Sequence, residues 1–195
     1  PYDAHAGGQP KAKTIADLEG EYLVDLAEGG EDAPPLLVGQ VNTAPAGHYN
    51  AISWEMSKAS NGPGEGYALV LIGKAEKEGQ SISFTIRIEK EYAYACGDYV
   101  GDERKGFLEA NDIADLEMTF HFDHIFGDAE TPMDDDLNQL AVGFDPFAAV
   151  ARDGALDMNM SQLEAELFAK DYLMLEDILP TLGHVGEGHC HSEAR

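Results

Sequence analysis

Apolar residues alternate most regularly over residues 82–96. Ile82, Phe84, Ile86, Ile88, Tyr92, Tyr94 and Cys96 share one parity, broken only by Lys90, while Ser83, Thr85, Arg87, Glu89 and Glu91 hold the other. Successive strand side chains project to opposite faces, so this pattern predicts an antiparallel strand with one buried and one wet face. Cys96 falls on the buried parity. A second alternation sets Leu116, Met118, Phe120 and Phe122 against Glu117, Thr119, His121 and Asp123. It predicts another strand, ending near Gly127-Asp128. Further strand signals lie at Glu21 to Leu26, Leu36 to Val41, Tyr49 to Met56 and Tyr67 to Ile72. Lys77-Glu78-Gly79-Gln80 has the spacing of a hairpin connection, and Asn61-Gly62-Pro63-Gly64 reads as a loop.

Beyond residue 128 the period changes. Asp145-Pro146 predicts a helix start, with the acid as N-cap and the proline at the first helical position. Ser161-Gln162-Leu163-Glu164 fits a capping box, and Leu163, Leu167, Phe168, Tyr172, Leu175 and Leu179 follow at helical spacing until Pro180 and Gly183. A weaker capping pattern, Thr14 to Asp17, suggests a helical turn. Residues 1–13 read as a flexible lead-in to a single domain over 14–195. Its β-rich part spans 14–128, and its helical part and His/Gly/Cys tail span 129–195. Strands first and helices last predict a mainly β architecture, an antiparallel β-sandwich or barrel with a helical C-terminal segment packed on it.

Charge narrows the function. The 195 residues carry 12 Lys+Arg against 37 Asp+Glu, a formal net charge of −25. So acidic a surface repels phosphate backbones and anionic headgroups, which argues against nucleic acid and membranes as partners. No apolar run is long enough to span a bilayer. The acidity also fits a solvated surface, a collector of cations or a dock for a basic protein. Composition does not choose among these three or identify a protein partner.

Two cysteines, Cys96 and Cys190, match no C-x-x-C spacing. In an exported protein such a pair is expected to form a disulfide, although Cys190 also qualifies as a metal ligand. The sequence starts Pro1-Tyr2 without Met, the form of a processed product. The expected location is periplasmic or extracellular, after removal of a signal peptide.

The histidines carry the chemistry. Of seven, five fall in two short places, His121-Phe122-Asp123-His124 and His184-Val185-Gly186-Glu187-Gly188-His189-Cys190-His191. On an extended strand His121 and Asp123 share a face; a bend before Gly127 lets His121 and His124 converge instead, and the spacing permits either pair. Imidazole, carboxylate and thiolate are ligands for zinc, copper or nickel. The expected ligands are His121, His124, His184 and His189, with Asp123, Glu187 and His191 behind them. A Cys96–Cys190 bridge would carry the tail histidines toward His121. Zinc ranks ahead of copper. Calcium, through the acids of Asp128 to Asp136, ranks last, because that stretch does not match an EF-hand loop.

Three functions compete on these residues. The first is an exported, non-enzymatic metal-binding domain. The second is a metal-dependent hydrolase or oxidase with Glu187 or Asp123 as general base. The third is a small-molecule or protein-binding β-sandwich with structural histidines, in which the aromatic parity of residues 84–94 lines a cavity. No G-x-S-x-G elbow, P-loop or H-E-x-x-H motif is present.

Overall fold

The structure is a computed structural model that describes residues 10, 12–29 and 33–195. The lead-in expected over 1–13 and the acidic loop after Glu28 therefore fall partly outside the described residues, as does His5. In chain order the elements are β1 (Gly47–His48), β2 (Ile52–Met56), β3 (Leu69–Lys77), β4 (Gln80–Ile88), β5 (Tyr92–Cys96), β6 (Phe107–Leu108) and β7 (Thr119–Phe120). Three short helices follow, α1 (Asp123–Phe126), α2 (Asp136–Leu140) and α3 (Phe144–Val150). Then come β8 (Ala155–Asn159), α4 (Met160–Glu166), α5 (Ala169–Ile178) and a 3₁₀ turn, Leu179–Thr181. The chain closes with β9 (Gly183–Val185), β10 (Gly188–His189) and β11 (His191–Ala194).

This is a mixed α/β fold with several antiparallel sheets and helices toward the C-terminus. The strands form sheets β1-β6, β10-β9-β7, β11-β5-β2 and β3-β4-β8, and none of these described sheets closes into a barrel. Among the described strands one pairing is parallel, β4 with β8, which brings Phe84 opposite Leu156.

The long alternating segment keeps its parity but not its continuity. Residues 80–88 pair with β3, whereas residues 92–96 pair with β2 and β11. The break falls on Glu89-Lys90-Glu91, whose charges find partners outside the ladders. Lys90 meets Glu176, and the Glu91 carboxylate accepts from the Lys58 N–H at 2.8 Å. One strand signal thus crosses from sheet to sheet with Ile82, Ile86, Ile88, Tyr92, Tyr94 and Cys96 still buried in the core. These side chains pack with Leu156, Leu163, Leu175 and Leu179. The β3–β4 turn follows the sequence signal: Glu78 and Gly79 both have positive φ, 51° and 82°, the requirement of a two-residue type I′ turn.

Several expectations are corrected. Residues 21–26 and 36–41 form no strand, and Leu23, Leu26 and Leu37 are exposed. Strand propensity acts through neighbours, and no sheet edge pairs with these segments. Thr14 starts no helical turn. α3 begins one residue before Asp145, behind Gly143 at φ 74°; proline is tolerated there because N–H groups of a first turn lack helical partners. The capping box belongs to Asn159 and Gln162 rather than to Ser161 and Glu164.

The helix expected through residues 163–179 is two helices. Leu163 and Tyr172, nine residues apart, would point in opposite directions on one continuous helix. The extended backbone at Phe168 (ψ 141°) resets the phase. Both residues are then buried, along with Leu175 and Ile178.

Candidate metal centre

The sheet register assembles the site. In the β7-β9-β10 sheet, Thr119 pairs with His184 and His184 with His189. The pairing extends past β7, since the His121 N–H donates to the Leu182 carbonyl at 3.0 Å. Side chains of residues i and i+2 share a strand face, and opposed residues across a ladder are neighbours. His121, His184 and His189 are therefore brought to one face of three adjacent strands.

His124 arrives differently. The strand expected to end near Gly127-Asp128 is only β7, with one further backbone bond at His121, and residues 123–126 turn into α1. That turn is the bend on which convergence of His121 and His124 depends. Of the two pairings left open by the spacing, it brings His121 and His124 near one another. One ring nitrogen from each of His121, His124 and His184 lies within 4.8 Å of the others, whereas Asp123 takes the His124 N–H at 3.1 Å. Tetrahedral zinc with bonds of 2.0–2.1 Å spaces its nitrogens about 3.3 Å apart, so the trio would have to draw in by up to about 1.5 Å to share one ion.

The four rings form a compact group. His121 stacks on His184 with centroids 4.0 Å apart and planes 7° from parallel. His189 stands 4.1 Å from His184 and 5.7 Å from His124. Lower-ranked candidates are not brought to it: Glu187 is exposed in the β9–β10 turn, and His191 contacts Glu193 from β11 at 3.3 Å. His48 lies elsewhere, stacked on Phe107 and 3.1 Å from Asp98.

Cys96 and Cys190 form a disulfide. Cys190 follows His189 directly and pairs its N–H with the Gly183 carbonyl at 3.2 Å. The bridge thus ties the end of β10, and with it His189, to β5. Gly183 is packed against the ring of Tyr94, where an added Cβ would stand 2.5 Å from a ring carbon. Gly183→Ala is expected to cost about 1–3 kcal/mol through this overlap, read as a lowered urea midpoint. A midpoint equal to wild type would remove the close packing from the account.

His184 is the deepest of the group, only 1% exposed. Its Nε2 lies 3.1 Å from the Thr181 carbonyl, while its Nδ1 is buried with no hydrogen-bond partner. Burial pushes its pKa down to about 3, reinforced by His121, His189 and His124. The ring is therefore neutral at pH 7 and presents a bare lone pair, the form a metal requires. Sequence reasoning ranks His184 among its ligands but misses Thr181, a lone threonine after a helix for which no spacing pattern exists.

The same burial gives a pH signature in metal-free protein. Between pH 6.5 and about 3 the unfolded chain protonates this histidine and the folded site refuses the proton. Its contribution to stability is complete above pH 6.5. As pH falls it is lost at about 1.4 kcal/mol per unit. Urea midpoints compared at pH 7.5 and 5 should drop more in wild type than in His184→Gln. Equal drops would show that His184 does not carry the effect.

No protein-family model, curated protein or solved structure matches the chain.

Proposed function

We propose that the chain is an exported, non-enzymatic metal-binding protein that holds one transition-metal ion on His121, His124 and His184, with His189 as a fourth imidazole. The observation that carries this reading is the buried Nδ1 of His184, which lacks a hydrogen-bond partner beside two other histidines. A buried polar atom without a partner costs about 1–3 kcal/mol, and a metal ion removes that cost. An all-imidazole set suits zinc or copper(II). Both cysteines are consumed by the disulfide, so no thiolate is left to favour copper(I), and zinc ranks first. A filled sphere of four imidazoles fits a structural or carrier site better than one that activates water.

The disulfide supports an oxidising compartment, periplasmic or extracellular. Among the described residues no helix is long and apolar enough to cross a membrane, and the net charge of −25 disfavours nucleic acid as a partner. Elemental analysis of protein purified without a polyhistidine tag tests the metal reading. About one zinc or copper ion per chain is expected, and background levels after incubation with either metal would overturn it.

A further inference from the structure

We propose that Thr181 is the positioning residue of the histidine cluster, its hydroxyl and its carbonyl selecting the metal-facing nitrogen of His124 and of His184. This rests on the metal reading above and adds a residue to it. The last carbonyls of a helical segment have no partners within it and must find them elsewhere. At the end of α5 and its 3₁₀ turn these partners come from the site. The Thr181 hydroxyl lies 2.8 Å from the Ile178 carbonyl, the Tyr94 hydroxyl donates to Leu179 at 3.2 Å, and the His121 N–H donates to Leu182.

The direction of each bond then follows. A carbonyl only accepts, so Thr181 Oγ1–H is donated to Ile178. His124 Nδ1 lies 3.0 Å from the same Oγ1. With the hydroxyl proton already committed, that contact requires His124 Nδ1 to be the donor. The His124 lone pair is thereby placed on Nε2. The Thr181 carbonyl likewise only accepts, so His184 donates from Nε2, and its lone pair is on Nδ1, the nitrogen without a hydrogen-bond partner. One residue thus sets opposite tautomers on two rings, because one ring meets its side chain and the other its backbone. Ligating histidines generally donate their second ring N–H to such a partner, and loss of the partner typically weakens metal binding 10–100-fold.

The test compares wild type, Thr181→Ser and Thr181→Val. Zinc affinity is read by competition with a chromophoric chelator, and ring tautomers of metal-free protein by long-range proton–nitrogen NMR. Wild type should show His124 protonated at Nδ1 and His184 at Nε2. Thr181→Val keeps the shape and the carbonyl but lacks the hydroxyl. It should bind zinc about 10–100-fold more weakly and lose the Nδ1–H signature of His124 while His184 is unchanged. Thr181→Ser should retain both properties within about threefold. Unchanged affinity or an unchanged His124 tautomer in Thr181→Val would overturn the assignment. So would a wild-type spectrum with His124 protonated at Nε2, an outcome that needs no variant to fold. Failure of wild type to bind zinc or copper would instead overturn the metal reading itself.

Discussion

Replacing His121 and His184 together by alanine should abolish stoichiometric metal binding. The two rings are stacked at 4.0 Å, come from adjacent strands of one sheet, and belong to the trio whose nitrogens lie within 4.8 Å of one another. Losing only the hydrogen-bond partner of a ligand costs about 10–100-fold in affinity, so losing two ligands outright should cost at least the product of two such losses, about 10²–10⁴. Tag-free wild type and variant, each equilibrated with excess zinc and then desalted, should differ from about one ion per chain to less than a tenth. His48→Ala with His191→Ala is the control, because both histidines lie away from the group. Metal retained by the first double variant would refute the assignment of ligands. Metal lost equally from the control would mean that imidazoles bind it indiscriminately.

Part of this site is legible in the sequence. Two histidine clusters 60 residues apart were visible because histidine is sparse elsewhere in the chain. The parity of residues 116–122 predicts a strand there, but it does not reveal that the strand is only Thr119–Phe120, with one further backbone bond at His121. That early end converts an ambiguous His-x-Asp-His string into one convergent histidine pair, and it depends on α1, a helix of four residues with no periodic signal. Thr181 was invisible for a related reason. Its role comes from the end of α5 meeting β9 and α1 in space, and no spacing rule encodes that meeting. The fold shows the same division. Local patterns reported the β3–β4 hairpin and the buried parity through Cys96, because both arise from neighbouring residues. Strand signals at residues 21–26 and 36–41 misled because pairing needs an available edge, which is a property of the whole fold.

The largest effect on stability should come from removing the disulfide. Cys96 and Cys190 are 94 residues apart in sequence, and on the chain-entropy account closing a loop of that length disfavours the unfolded state by about 4.7 kcal/mol. At roughly 2–4 °C per kcal/mol for a chain of this size, the Cys96→Ser, Cys190→Ser protein should melt about 10–20 °C lower. The consequence should extend to the site, because Cys190 adjoins His189 and anchors the tail to β5. Without that bridge β10 is still held by its short ladder to β9 and by the pairing of β11 with β5, but the fourth imidazole loses its covalent restraint. Zinc should therefore bind the variant more weakly, yet saturating zinc should restore part of the lost melting temperature, since a ligand at 1,000 times its Kd stabilises the folded state by about 4 kcal/mol. Differential scanning calorimetry of both proteins with and without zinc separates the two contributions. If the oxidised protein and the serine variant melted together without metal, the bridge would contribute nothing to the fold. If zinc raised neither melting temperature, the histidine cluster would not be a metal site.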